Sequence, residues 1–434
     1  MPKLEKRSAM PATAAELFAW HARELAFERL NPPFDPVELE SREGKGLDVG
    51  TRVAVRVKLG PIEQRWVARH TACESGRMFR DEQEVGPFSR WVHTHHFSDG
   101  ELFDEIDWET PLGAMHGLVA KKLDRAFAYR HAVTRADLER HARFAARPRL
   151  RIALTGASGL IGTALAAYLD TAGHELVPVR RGDFSAVDGC DAVVHLAGAP
   201  IGQRWTRSLR KEIVVSRIDY TRALVDAMRR ARKRPSVLLS GSAIGVYGER
   251  SDEELDESSP VGPRADEGPG FLAGLCADWE SEAARASDFA RVVMLRTGVV
   301  LTPRGGALSQ MLPAFALGAG GPIGSGRQWM SWISIEDQLG AIEHALFTES
   351  LTGPVNLVAP EPLTGRDFAS ELGRVLGRPS FARVPATALK ALYGEAAEAA
   401  LLASQRVKPA RLQASGFEFL HPTLEPALRF LLGR

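Results

Sequence analysis

Two rhythms of apolar residues divide the chain. In the first third, residues 51–57 (TRVAVRV), 65–72, 91–97 (WVHTHHF) and 101–108 (ELFDEIDW) alternate polar and apolar positions, which predicts half-buried strands. Helical runs bracket them, 14–28 in front and 117–131 continuing into 135–145 behind. An antiparallel sheet between a short first helix and a long last helix is an α+β layout. Beyond Arg147-Pro148 the rhythm becomes strand–helix–strand: strand 150–155, helix 160–171 closed by Gly173, strand 175–179, strand 191–196, and a long amphipathic helix over 208–230. Segments 236–240, 278–286 and 291–296 continue the alternation, the signature of a parallel sheet covered on both faces. From about Gly305 the chain turns Gly-rich and then mostly helical, predicting a smaller lobe over the carboxyl edge of that sheet.

These patterns predict two domains, 1–146 and 149–434, the second ending in a C-terminal lobe over about 376–434. Composition adds little. With 44% hydrophobic and 25% charged residues and a formal charge of +1, nothing points to nucleic acid or an acidic membrane surface. The N-terminus lacks the apolar core of a signal peptide, no stretch is apolar enough to span a bilayer, and Cys73, Cys190 and Cys276 are too few and too scattered for a disulfide framework. A soluble, cytoplasmic protein is the expectation.

The clearest chemistry sits after the strand at 150–155. Gly156-Ala-Ser-Gly159-Leu-Ile-Gly162 follows a strand and opens a helix, as a dinucleotide site requires. Gly156 allows the tight turn, Gly159 lets backbone approach a pyrophosphate, and Gly162 permits close helix–sheet packing, while the helix N-terminus offers free N–H groups and a positive dipole end. At the end of the second strand, where NAD sites carry an acid for the ribose diol, this chain has Arg180 and Arg181. Two guanidinium groups suit a 2′-phosphate, so NADP(H) is favoured over NAD(H). His195 ends the later strand and reads as a packing residue; Leu196, Ala197 and Gly198 form a small-residue turn that would sit under the cofactor.

Several ordered segments resemble the extended short-chain dehydrogenase/reductase superfamily, and more closely its atypical epimerase-like branch: TGASGLIG (155–162), HLAGAPIGQRWT (195–206), SRIDYTRALV (216–225), SGSAIGVYG (240–248), CADWE (276–280), RTGVVLTPRGGAL (296–308), GGPIGSGRQWMSWISIEDQ (320–338) and SQRVKPARLQASGFEFLHP (404–422). The resemblance implies a Rossmann doubly wound α/β fold, a nicotinamide cofactor held by residues including Ser158, Leu160, Ile161 and Ser240, and a substrate cleft under a small C-terminal domain. It implies Ser242 as catalytic serine, with Ser240 as alternate; without a proton relay, a plain turn hydroxyl is the other reading of Ser242. The superfamily's Tyr-x-x-x-Lys relay is missing. No tyrosine is followed four places on by lysine, and Leu272 and Cys276 stand at the expected positions. Tyr247 is the candidate substitute acid, with structural packing as its other reading, and Cys276 reads as a packing thiol, with a thiol near the nicotinamide as the alternative. Only nine residues separate Arg181 from the strand at 191, too few for a third strand with its crossover helix. In the segment 320–338, Gln328, Trp329 and Trp332 suit either a substrate lip or packing beneath the C-terminal lobe.

The first 146 residues resemble the helix-grip superfamily, also called START-like or SRPBCC, through SAMPATAAELFAWHA, NPPF (31–34), RDEQEVGPFSRWVHTHHF (80–97) and YRH (129–131). That resemblance implies an apolar cavity between a curved sheet and the long helix, open to an apolar ligand or a partner. Trp20, Trp66, Trp91 and Trp108 would line the cavity or fill the core. His93 and His95 share one strand face and His96 takes the other. Two imidazoles could ligate a metal, but no third ligand lies nearby in the pattern, so a hydrogen-bonded strand face is the better reading and no metal is expected. The chain thus reads as an NADP(H)-dependent oxidoreductase or epimerase-like protein acting on a small hydroxyl- or carbonyl-bearing substrate. The alternative is a cofactor-binding sensor that has lost the relay.

Overall fold

The computed structural model describes residues 2–59, 62–111 and 113–434. The chain forms two compact units, one built on residues 1–147 with 167–173 and 433 grouped to it, the other on the rest of 148–434.

The first unit runs β1 (Lys3–Ala9), α1 (Ala14–His21), α2 (Ala26–Arg29), β2 (Glu38–Glu43), β3 (Arg52–Leu59), β4 (Ile62–Glu74), β5 (Met78–Val85), β6 (Arg90–Ser98), β7 (Glu101–Glu109) and α3 (His116–Ala142). Its seven strands form one antiparallel sheet in the order β1-β7-β6-β5-β4-β3-β2. The alternation in β7 is strict, with Leu102, Asp104, Ile106 and Trp108 buried between more exposed neighbours. Trp91, Ile106, Trp108 and Phe127 of α3 make one core cluster, and Trp20 packs with Ala26 and Leu30 in another.

Sequence pattern missed three strands here. β1 alternates charged residues at the sheet edge, where exposed lysine and arginine discourage further pairing. β2 and most of β5 are likewise polar on both faces. The helix expected over 14–28 breaks into two. It begins at a capping box, in which the Thr13 hydroxyl accepts from the Glu16 N–H and the Glu16 carboxylate accepts from the Thr13 N–H. Conversely, α3 is one continuous helix across the expected gap, because Val133 and Thr134 there are buried and packing overrides their weak helix propensity.

The second unit runs β8 (Arg151–Thr155), α4 (Leu160–Thr171), β9 (Glu175–Val179), β10 (Ala192–His195), α5 (Arg207–Arg230), β11 (Val237–Ala243), β12 (Glu254–Leu255), α6 (Phe271–Ala284), β13 (Arg291–Thr297), β14 (Val299–Leu301), α7 (Gly306–Ala316), β15 (Trp329–Met330), β16 (Trp332–Ser334), α8 (Ile335–Phe347), β17 (Gly353–Leu357), β18 (Leu363–Thr364) and α9 (Gly365–Leu376). The chain finishes with α10 (Ala386–Tyr393), β19 (Arg406–Val407), α11 (Ala410–Ala414) and α12 (Leu424–Leu432). Six strands form a parallel sheet in the order β17-β13-β11-β10-β8-β9. β8, β10 and β11 are buried on both faces, as their unbroken apolar runs require. β17 lies within the stretch expected to be mostly helical.

Chain order reverses beside β8. β9 lies on one side, and the next strand, β10, returns to the other. Ligands of open α/β sheets bind at such a switch point, outside the carboxyl ends of the strands. No third strand follows β9; residues 185–187 make only a short turn of helix, and β9 forms the sheet edge. No helix among the described residues is long and apolar enough to cross a membrane.

In the first unit, Arg29 and Asp137 form a buried bidentate pair, with Nε–Oδ2 and Nη2–Oδ1 distances of 2.8 and 2.7 Å. Replacing Asp137 by alanine breaks this buried ion pair, so denaturant unfolding of Asp137→Ala should show a loss of about 3–5 kcal/mol. A change below about 1 kcal/mol would show that the pair does not hold α2 to α3.

Candidate cofactor and catalytic site

β8 delivers Thr155 to the switch point, and Gly156 turns the chain with φ of +71°. A Cβ there would lie 2.8–2.9 Å from the backbone of Leu196 and Ala197, and one on Gly162 would lie 2.1 Å from the Gly156 carbonyl oxygen. Both glycines are therefore demanded by the fold itself. Gly159 differs. Its φ is not positive, and a Cβ there would meet only the Gly156 oxygen, at 3.2 Å. Ser158, Gly159 and Leu160 are exposed and Ile161 is half-buried, so the first turn of α4 presents its unspent N–H groups outward.

Thr155 pairs with Val179 across β8 and β9, so Arg180 and Arg181 leave the sheet beside this loop. Both are exposed, and Arg181 Nη1 lies 3.8 Å from Glu212 of α5. On the other flank, His195 is fully buried between Thr155 Oγ1 at 2.7 Å and Thr221 Oγ1 at 2.9 Å. Burial, aided by the nearby Arg217 charge, pushes its pKa down to about 4, so the ring stays neutral. Thr155 Oγ1 also accepts from the Ala197 N–H. His195 thereby anchors the Leu196–Gly198 turn as a neutral ring with both nitrogens engaged. Gly198 leaves room for Arg217, whose Nη2 donates to the Ala199 carbonyl.

At the end of β11 the candidate catalytic hydroxyls are already engaged. Ser242 Oγ donates to Glu280 Oε1 at 2.7 Å. Arg296 of β13 grips the same carboxylate with Nε and Nη2, each at 2.8 Å, and its Nη1 donates to the Tyr247 hydroxyl at 3.0 Å. Tyr247 is fully buried and donates in turn to Asn356 Oδ1 of β17 at 2.8 Å. Burial raises its pKa, with Arg296 opposing. Tyr247 thus sits inside the protein with its hydroxyl proton given to Asn356 and a lone pair accepting from Arg296. Ser240 is fully buried and bonds only the Gly241 carbonyl.

Leu272 and Cys276, at the relay positions of α6, turn into the core, and burial pushes the Cys276 thiol up to about 12. Trp279 lies over Gly241, where a Cβ would come within 2.9 Å of its ring. Trp332 is wholly buried, and half-buried Trp329 donates to Asp252, so packing accounts for Trp332 at least. Glu280 and Arg296 lie in the segments 276–280 and 296–308, one helical turn past Cys276 and near the end of β13, where local pattern gives no sign that they pair. A groove of about 900 Å³ runs between α5 and α6 and includes none of the glycine-loop residues.

The first unit has a cavity of its own. A cavity of about 650 Å³ is lined by apolar side chains including Val53, Val55, Trp66, Phe88, Trp91 and Phe127, while Trp20 and Trp108 belong to the core. His93, His95 and Asp81 line one end, and His96 points the other way, 3.3 Å from Glu105. The expectation that the histidines have no third neighbour fails, because Asp81 sits directly across from His93 on β5. Asp104 lies within 3.2, 2.6 and 2.8 Å of His93, His95 and His131. Burial raises the Asp104 carboxyl, but the surrounding imidazoles bring it well below its ordinary value. The missed signal was a carboxylate in an apolar slot of β7.

Residues 152–356 match the NAD dependent epimerase/dehydratase family and residues 384–431 match DUF1731, a domain of unknown function. An epimerase family protein of Mycobacterium bovis is 40% identical over 302 residues, covering 65% of this chain and 98% of the relative. The crystal structure of a nucleoside-diphosphate sugar epimerase from Corynebacterium glutamicum matches 99% of this chain and 90% of its own, at 31% identity and a TM-score of 0.78. The human epimerase family protein SDR39U1, solved with NADPH, matches 65% of this chain and 99% of its own, at 35% identity and a TM-score of 0.61.

The charged network predicts unequal costs. Glu280→Ala leaves the Arg296 guanidinium buried and unpaired and should lose about 3–5 kcal/mol. Ser242→Ala removes one hydrogen bond to a charged acceptor and should lose about 1–3 kcal/mol. Urea unfolding of both variants checks this, and equal losses would contradict the network.

Proposed function

This chain belongs to the NAD dependent epimerase/dehydratase family, and from that premise we propose that its second unit binds NADP(H) and acts as an oxidoreductase or epimerase-like enzyme on a small hydroxyl- or carbonyl-bearing substrate. The observation that carries the reading is the pair of exposed guanidinium groups, Arg180 and Arg181, leaving the sheet beside a glycine turn built for close backbone approach. Ser158, Leu160 and Ile161 offer the pyrophosphate backbone N–H groups and the α4 dipole, while Gly156, Gly159 and Gly162 keep the loop bare of side chains, the Gly159 N–H itself donating to the Gly156 carbonyl. The arginines take the 2′-phosphate, and the Leu196–Gly198 turn lies under the cofactor. With no strand beyond β9, the adenine side is open. The NADPH bound to human SDR39U1 agrees with this choice of cofactor.

When bound, the nicotinamide supplies or accepts hydride. Ser242 spends its proton on Glu280, so it meets a substrate as a hydrogen-bond acceptor, which suits a substrate hydroxyl better than a carbonyl oxygen. Arg296 keeps the Glu280 carboxylate in place, and Tyr247 with Asn356 keeps Arg296 in place. One observation favours a second reading, a cofactor-binding sensor without turnover: the hydroxyls of both Ser242 and Tyr247 are committed inside this network, and α6 carries no relay. For the first unit, the sheet and long α3 suit a helix-grip domain whose 650 Å³ cavity takes an apolar ligand or a partner segment.

Calorimetric titration with NADPH, NADP⁺, NADH and NAD⁺ tests the cofactor. The 2′-phosphorylated forms should bind about 10–100-fold tighter, and Arg180→Ala/Arg181→Ala should erase the difference. Equal binding of all four by the wild type would contradict the assignment. For the reaction, hydride transfer to or from a panel of small alcohols and carbonyl compounds should fall in Ser242→Ala while cofactor binding persists. A panel with no transfer at all would leave the sensor reading in its place.

A further inference from the structure

The sheet of the first unit supplies two histidines with a third ligand from a different strand. We propose that Asp81, His93 and His95 form a binding site for a single divalent transition-metal ion at the polar end of the 650 Å³ cavity. The site is independent of the cofactor reading for the second unit.

Strand register builds it. His93 and His95 are two apart on β6 and so share the inward face, while Asp81 on β5 is paired directly with His93. One ligand atom from each of the three residues lies within 4.8 Å of the other two. Zinc–nitrogen and zinc–oxygen bonds of about 2.0–2.2 Å put tetrahedral ligands about 3.3–3.6 Å apart, within reach of small side-chain adjustments. The rings of His93 and His95 are already 4.0 Å apart, centroid to centroid.

The surroundings are those of a metal site and not of a surface cluster. His93 and His95 are buried, and a dication there has the carboxylates of Asp81 and Asp104 to balance it. His93 turns Nδ1 to Asp81 Oδ2, 3.1 Å away, and Nε2 to Asp104 Oδ1, 3.2 Å away. Asp104 therefore fixes the ring from behind and leaves Nδ1 as its ligating atom, the role outer-shell carboxylates play for metal-bound imidazole. His131 steadies the other Asp104 oxygen at 2.8 Å. Phe79 stacks on His95, with centroids 4.1 Å apart, and restrains that ring.

Two imidazoles and one carboxylate are a borderline donor set, which suits Zn²⁺, Fe²⁺ or Co²⁺ and not Ca²⁺ or Mg²⁺. Three protein ligands leave a coordination position open, and all three residues line the cavity. A small molecule entering the cavity would meet the ion through an oxygen donor, with its apolar body against Val55 and Trp66.

Cobalt provides the test, because four- or five-coordinate Co²⁺ absorbs visible light. The full-length protein is stripped with chelator and titrated with Co²⁺, then with Zn²⁺. The expected result is visible bands that saturate at a single equivalent and are displaced by Zn²⁺. Asp81→Asn and His95→Ala should each weaken binding by at least about 100-fold, and Asp104→Asn by about 10–100-fold. His96→Ala, on the outward face, should change nothing. Circular dichroism verifies folding, and the nearly isosteric Asp81→Asn carries the comparison if His95→Ala does not fold. Absence of bands in the wild type would overturn the proposal and mark the cluster as a closed network of charge-assisted hydrogen bonds. Bands of undiminished strength in Asp81→Asn would overturn it equally.

Discussion

At the carboxyl end of β8, strand, turn and helix approach so closely that two positions admit no side chain. Gly156 lies against the Leu196–Ala197 backbone, and Gly162 lies against the Gly156 carbonyl. That contact sets the angle at which α4 leaves the sheet and brings its first turn to the switch point between β8 and β10. It also explains why Thr155 and His195 are buried polar residues in an otherwise apolar layer. Their hydrogen bonds, extended to Thr221, hold the Leu196–Gly198 turn over the glycine loop. A binding surface made of backbone N–H groups needs this rigidity, because its donors cannot adjust as side chains do.

A buried ion pair occupies the neighbouring part of the unit. Glu280 and Arg296 join α6 to β13, and through Ser242, Tyr247 and Asn356 they reach β11 and β17. Such a pair stabilises little against an apolar substitute, but it fixes a single arrangement of five polar groups. The consequence for chemistry is directional. A serine that donates to a carboxylate has only lone pairs left for a ligand, and a tyrosine enclosed between guanidinium and amide has its proton already spent.

Local features were legible in the sequence because adjacent residues define them. The glycine loop, the arginines after β9 and the missing relay all lie within short stretches, and the parallel sheet followed from unbroken apolar strands. What could not be read depends on partners far apart in the chain. Asp81 joins His93 only through the β5–β6 register, and Asp104 on β7 reaches three histidines on β6 and α3. Glu280 and Arg296 look like surface charges until their elements are packed. β1 and β2 carry no apolar stripe, so they owe their strand conformation to the ladder they complete.

Gly159 separates what the fold needs from what a ligand needs. A side chain at Gly156 or Gly162 collides with the protein's own backbone, whereas one at Gly159 projects from an exposed turn and grazes a single oxygen. The direct measurement is NADPH affinity by calorimetry in Gly159→Val, beside its thermal unfolding. If the loop seats a pyrophosphate, stability should stay within about 1 kcal/mol of the wild type, apart from the modest cost of a β-branched residue near a helix start, while affinity falls by at least about tenfold. Unchanged NADPH affinity in a folded Gly159→Val protein would contradict the account, since nothing else in the loop separates the ligand's requirement from the fold's.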